Sequence, residues 1–278
     1  IEMKGNFTGG VDIKGGKFYQ EQDLMDEYKG QAYKDIKALW KWYSDNVNDS
    51  NRDSIEKVVD ERMEPLRMKY AADLLVYAKQ HSGQECIALL IDKLDDVKYK
   101  ETLISLMADN VKNGRMKAYY EPIFERAKKR AEMEEKAKVV QASGVEAPDF
   151  TLNDINGKPF SLSSLRGKYV VIDFWGSWCI WCIKGMPKMK EYYEKYKGKF
   201  EILGVDCNDT EAKWKAAVEK HQLPWIHVYN PKGSDVLDKY AVQGFPTKIV
   251  IGPDGKIVKT IVGEDPAFYT LLDEVLGK

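Results

Sequence analysis

The sequence predicts a helical region followed by an α/β domain. Three observations carry this. Apolar residues recur at the helical period through residues 20–140. Beyond Pro148, short apolar runs suited to strands alternate with helical patterns. Between the two lies Gln141–Pro148, a stretch of serine, glycine and proline that reads as a joint. With 278 residues the chain has length for two cores. The expected parts are a short extended lead-in over 1–16, an all-α domain over 17–143 and an α/β domain over 144–278.

The lead-in, Ile1–Gly16, is glycine-rich and weakly alternating, as a leftover piece of a β domain would be. In the helical part, Leu24, Tyr28, Ala32, Ile36, Leu39, Trp40 and Tyr43 form one stripe. Ile55, Val58, Val59, Met63, Leu66 and Tyr70 form a second, and Met116, Tyr119, Tyr120, Ile123, Phe124 and Ala127 a third. Each stripe is one face wide, as in helices packed on one another. Pro65 and Pro122 fall inside two of them and are expected to kink a helix or to begin one. Residues 125–138 are dense in Lys, Glu and Arg, a solvated helix with paired charges.

In the α/β part, strands are expected at Tyr169–Trp175, Phe200–Val205, Trp225–Tyr229, Thr247–Ile251 and Lys256–Ile261. Gly252-Pro253-Asp254-Gly255 is a turn joining the last two. Helices are expected from Cys179 to about Tyr196, after a cap at Asp209, and from Pro266. Near-continuous apolar strands between helices indicate a sheet covered on both faces.

The net charge of −1 gives no basic field for nucleic acid or anionic membrane. The apolar runs are too short to span a bilayer. The four cysteines are Cys86, Cys179, Cys182 and Cys207. One close pair with two scattered singles reads as a redox motif with bystanders, not as a disulfide framework. A zinc site would need two further ligands, and His81, His221 and His227 lack partner spacing, so no metal or cofactor is expected.

The chemistry concentrates at Trp178-Cys179-Ile180-Trp181-Cys182, at the joint of a strand and a helix. Helix N-termini favour negative charge, so the first thiol there ionises readily, and a thiolate attacks disulfides. Cys179 is the expected nucleophile at the exposed helix tip, with Cys182 deeper as the resolving thiol. Asp173 is the one polar group in its strand. A carboxylate so placed has a raised pKa and can take a proton from Cys182; the competing reading is a local backbone tie. Gly244-Phe245-Pro246-Thr247 precedes a strand, and a cis Phe245–Pro246 bond would set the Phe245 backbone beside the dithiol to pair with an extended substrate. Trp175 is expected in the core. Trp178 and Trp181 are expected to offer an apolar surface to a partner. Cys86 and Cys207 read as buried small hydrophobes, with a disulfide between them as the less favoured alternative.

These residues together resemble the thioredoxin superfamily and, within it, the TlpA/ResA-like thiol–disulfide oxidoreductases. The match runs through Ala147-Pro148-Asp149-Phe150-Thr151-Leu152, Gly157-Lys158, Ser161-Leu162 and Leu165-Arg166-Gly167-Lys168. It continues through the Trp-Cys-x-x-Cys, Phe245-Pro246-Thr247 and Asp254-Gly255-Lys256-Ile257-Val258. The helical segment ahead is similar to Bacteroidetes-type members. The resemblance implies a thioredoxin-like fold, a central mixed sheet flanked by helices, with an extra strand–hairpin at its start. It implies reduction of disulfides in exported client proteins, apocytochromes among them, with electrons from a membrane thiol carrier. It places the chain in the periplasm or cell envelope, with a lipid anchor on the full-length protein. Two positions depart from the pattern. Trp181 stands where members usually have proline, which leaves the direction of electron flow open. Gly185 stands where many carry glutamate, while Asp173 fills the buried-acid position.

Three other functions compete. A peroxiredoxin-type peroxidase needs a P-x-x-x-[ST]-x-x-C arrangement, and residues 172–179 contain no proline. A disulfide oxidase or isomerase would use the same dithiol at a higher potential. A partner-binding module, with the dithiol auxiliary, would rest on the helical region.

Overall fold

The computed structural model describes residues 2–6, 10–14, 16–28, 30–48 and 50–277. The chain divides into two compact units, Ile1–Lys129 and Arg130–Lys278. The sequence places the joint at Gln141–Pro148. The units instead divide within a helix, Lys117–Val140. From the end of that helix Lys136 pairs with Asp238 at 2.7 Å, and just beyond it Gln141 donates to the Tyr240 carbonyl at 2.6 Å, both inside the second unit.

In the first unit, β1 (Glu2–Asn6) pairs antiparallel with β2 (Gly10–Lys14). The other positions of the expected lead-in before Gly16 lie outside the described residues. The helices are α1 (Lys17–Glu27), α2 (Gln31–Asn46), α3 (Arg52–Gln80), α4 (Val97–Leu106), α5 (Asp109–Lys112) and α6 (Lys117–Val140), with a 3₁₀ segment at Glu85–Lys93. That 3₁₀ segment holds Cys86, Ile87, Leu90 and Ile91 at the centre of a core with Leu74, Ala78 and Leu103. A smaller core joins Leu39, Val59 and Met63. Pro65 and Pro122 both lie within helices, so neither begins one. The first stripe is interrupted: Leu24 and Trp40 are exposed, and Met25 is buried in their stead. Its spacing runs across the break between α1 and α2, where helical phase is lost.

In the second unit the elements are β3 (Thr151–Asp154), β4 (Pro159–Ser161), β5 (Tyr169–Trp175), α7 (Ile180–Lys195), β6 (Phe200–Cys207), α8 (Glu211–His221), β7 (Ile226–Asn230), α9 (Val236–Lys239), β8 (Thr247–Ile251), β9 (Ile257–Val262) and α10 (Ala267–Leu276). One mixed seven-stranded sheet has the order β4-β3-β7-β6-β5-β8-β9. β5, β6 and β7 run parallel; β8, β9, β3 and β4 are antiparallel to their neighbours. The hairpin β3–β4 is the extra element at the start of the domain. Thr210, not Asp209, caps α8: its hydroxyl accepts from the Lys213 amide. Asp209 is engaged elsewhere, as described below.

Alternation along β5 decides what lies on each face. Ile172 and Phe174 enter a core with Phe150, Leu203, Val205 and Tyr240. Val171 and Trp175 enter the opposite core with Cys182, Met186 and Met189 of α7, Trp214 of α8 and Phe268 of α10. Asp173, between Val171 and Trp175 at the same two-residue period, belongs to the second face, under the helix that carries the dithiol.

Gly204 of β6 lies directly opposite Asp173 and His227. A Cβ there would sit 2.7 Å from His227 Nδ1 and 3.2 Å from Trp175 Nε1, both on buried rings with little room to retreat. Gly204→Ala is therefore expected to lower stability by about 1–3 kcal/mol through overpacking. A urea melt of the oxidised protein measures this, and an unchanged midpoint would contradict the packing described.

Candidate active site

The segment between β5 and α7 is tied to the end of β6. Ser177 donates its amide (2.6 Å) and its hydroxyl (2.7 Å) to the Asp209 carboxylate, and Trp178 Nε1 donates to the Cys207 carbonyl at 3.0 Å. The Cys179 amide donates to the Gly176 carbonyl at 3.0 Å. Cys179 is then the N-cap of α7, and its Sγ accepts from the Cys182 amide at 3.2 Å. Unpaired amides at a helix start stabilise charge on a capping atom. The same N–H is placed to stabilise a Cys179 thiolate when the pair is open.

Cys179 and Cys182 form a disulfide, with Cα atoms 5.3 Å apart. The expectation of an exposed Cys179 over a deeper Cys182 is corrected here: the two are 5% and 4% exposed. In the closed disulfide, Sγ of Cys179 lies against the first turn of α7. Solvent is met instead by Trp178 (51%) and Trp181 (58%), with Ile180 between them. Lys184 lies 4.5 Å over the Trp181 ring. Trp178 packs edge-on against Phe245 at 5.3 Å. The Phe245–Pro246 peptide is cis; Pro246 is buried and its carbonyl accepts from the Gly263 amide at 2.7 Å. The four residues read as a substrate surface are thus not one patch. Trp178 and Phe245 touch each other. Trp181 stands out on α7, and Pro246 is covered.

Asp173 is buried, and its Oδ1 accepts no hydrogen bond from any described residue. Burial pushes its carboxyl up to about 6; Lys248 opposes the rise and Glu264 adds to it. Lys248 is the cross-strand neighbour of Asp173 on β8. A second buried acid, Asp206, lies near the end of β6 and is raised to about 8 by burial and by Asp209. Cys207 faces the other core, a free buried thiol pushed upward by burial. Cys86 is likewise free, buried and raised to about 11.

Sequence reasoning misses Ser177, Asp206, Asp209, Lys248, Glu264 and Tyr269. For Lys248 and Asp206 a signal is present: each is a lone charge in or near the end of an otherwise apolar run, like Asp173. For Ser177 and Asp209 only the joining of β5 to β6 brings the partners together.

A dithiol at a helix N-terminus, on the face of a mixed sheet that also carries a buried carboxylate, defines a thioredoxin-like thiol–disulfide oxidoreductase. The AhpC/TSA family model matches residues 143–260. The thiol-disulfide oxidoreductase ResA of Bacillus cereus is 43% identical over 122 residues, covering 44% of this chain and 70% of that protein. ResA of Bacillus subtilis is 36% identical over 123 residues, covering 44% and 68%. The thioredoxin domain of a thiol-disulfide oxidoreductase from Bacteroides vulgatus aligns with a TM-score of 0.46 at 36% identity, covering 49% of this chain and 98% of that one. The chain belongs to the ResA-like thiol–disulfide oxidoreductases.

Asp173 holds its proton more tightly in the folded chain than in the unfolded one. Its folded value, about 6, lies above the ordinary 3.8. Its contribution is thus fully present below about pH 4 and lost as pH rises through 6. Asp173→Asn is expected to match the parent in stability at pH 4 and to exceed it at pH 8 by on the order of 3 kcal/mol. Urea melts of the oxidised proteins at both values measure it. Equal differences at the two pH values would show that Asp173 titrates as it does in an unfolded chain.

Proposed function

We propose that this enzyme is a reductase of protein disulfides in the bacterial envelope, working on exported clients such as apocytochromes and recharged by a membrane thiol carrier. The observation that carries the reading is the placement of Cys179 at the α7 N-cap, with the Cys182 amide on its sulfur.

The cycle follows from that placement. The Cys179 thiolate attacks one sulfur of a client disulfide. A Cys179–client bond forms, and the second client sulfur leaves with the electron pair. Cys182 gives its proton to the Asp173 carboxylate and attacks Cys179 Sγ. The mixed disulfide breaks; the proton held by Asp173 passes to one departing client thiolate and water protonates the other, so the client leaves as a dithiol and Asp173 is ionised again. Cys179 and Cys182 end joined, and two electrons from the carrier's dithiol reopen them. A base with a value near 6 suits this transfer, since it is ionised at neutral pH yet not too weak to take the proton. Trp178, Trp181 and Phe245 supply apolar area around the sulfur for an extended client segment.

Two measurements test this. Cys182→Ser should hold clients on Cys179 as mixed disulfides in envelope extracts, and recovery of none would count against it. The dithiol potential should lie nearer the about −270 mV of thioredoxin than the about −120 mV of a strong oxidant. A value near the latter would reassign the enzyme as an oxidase or isomerase.

A further inference from the structure

Behind the dithiol helix lies an ion pair that the cycle above does not use. Lys248 is 1% exposed, and its ammonium donates to Glu264 Oε2 at 2.8 Å. Glu264 follows β9. Its other oxygen, Oε1, accepts from the Tyr269 hydroxyl of α10 at 2.9 Å. That hydroxyl is also 3.3 Å from the Gly185 carbonyl of α7. Gly185 lies three residues past Cys182, and a Cβ on it would stand 2.3 Å from Glu264 Oε2 and 2.5 Å from Glu264 Cδ. The bare glycine on the dithiol helix is thus what admits the Glu264 carboxylate.

Lys248 has two acids within its reach in the fold. It is the register partner of Asp173 across β5 and β8, and its ammonium lies 5.4 Å from the Phe268 ring, on the α7 face that Asp173 shares. Its hydrogen bond nevertheless goes to Glu264, while Asp173 Oδ1 stays unbonded to any described residue. We propose that Glu264 is a positioning residue for Asp173: it holds the Lys248 ammonium, and so leaves the Asp173 carboxylate free to take the Cys182 proton. This rests on the reading of Asp173 as the proton acceptor.

The physical reason is the cost of a second buried pairing. An ammonium hydrogen-bonded to one carboxylate still acts on a second acid through space, but it gives that acid no hydrogen bond, so Lys248 lowers Asp173 only in part. Without Glu264, Lys248 would turn to the nearest remaining acid, and an ion-paired Asp173 would be a weaker base. The groups that act electrostatically with Asp173 are Lys248 of β8, Glu264, Tyr269 of α10 and, from the far face, Cys207 of β6; Cys179 and Cys182 of α7 share a core with its strand neighbours Val171 and Trp175. Asp206 stands two residues along β6 from its neighbour Gly204. Among these, Lys248 is the cation that acts on its charge.

The test is the titration of Asp173 in the oxidised enzyme, where neither active-site thiol interferes. The protonated carboxyl stretch in the infrared reports it, assigned by its loss in Asp173→Asn. Glu264→Gln keeps a partner for Tyr269 but releases Lys248, and should move the midpoint down by about one unit or more. Gly185→Ala should move it the same way by crowding Glu264 with no change of charge. Lys248→Met should move it up. In single-turnover stopped flow with a disulfide-bonded peptide, Glu264→Gln should slow the Cys182 step roughly tenfold at pH 7. Alkylation of Cys179 by iodoacetamide should be unaffected. An unmoved or raised midpoint in Glu264→Gln would overturn the inference and leave the Asp173 reading standing. If Asp173→Asn itself leaves the pH profile of the Cys182 step unchanged, the underlying reading fails instead.

Discussion

A carboxylate in the middle of a sheet is the constraint on which the rest of the second unit turns. Asp173 is hemmed in by Gly204 on one side and Lys248 on the other, and covered by α7. Ionising it there is costly, because burial strips its solvation and its Oδ1 gains no hydrogen bond from any described residue in return. Its neighbourhood is arranged around that cost. Gly204 leaves space, the one adjacent cation among the described residues is occupied by a second acid, and the dithiol sits on the helix above. Such a site gives up stability for a group whose proton affinity falls in the working range.

The dithiol segment is held by α7, by the neighbouring strand β6 and by the loop before β8, which lies some forty residues further along the chain. α7 gives the thiols a positive helix terminus. β6 and the residues just after it hold the loop before the thiols, through the Cys207 carbonyl and Asp209. The loop of Phe245 and Pro246 meets it from β8, through Trp178. Each contact fixes where a client's sulfur can approach, so the surface presented to a client is decided by packing as well as by the residues themselves.

Much of this is legible in the sequence. The apolar run Val170–Trp175 implies a buried strand, and its single acid stands out against it. The dithiol spacing implies a redox pair at a helix start. What escapes is of two kinds. Asp209 reads as a helix cap because acids next to a helical run usually are. Thr210 takes that role because a hydroxyl one residue on meets the Lys213 amide, which leaves Asp209 for Ser177. Cys179 reads as exposed because helix tips usually are. In the closed disulfide its sulfur is buried beside Cys182, and Trp178, Ile180 and Trp181 meet the solvent instead.

Local chemistry alone determined the two-part organisation, the strand–helix joint, the redox pair and the lone buried acid, since each depends on periodicity or on spacing of a few residues. Only tertiary structure decided which charge neighbours which. Lys248, Glu264 and Gly185 lie on separate elements, and their meeting depends on strand order and register. A free-energy cost such as that of a buried charge depends on what surrounds it in space, and neighbours along the chain do not specify those surroundings.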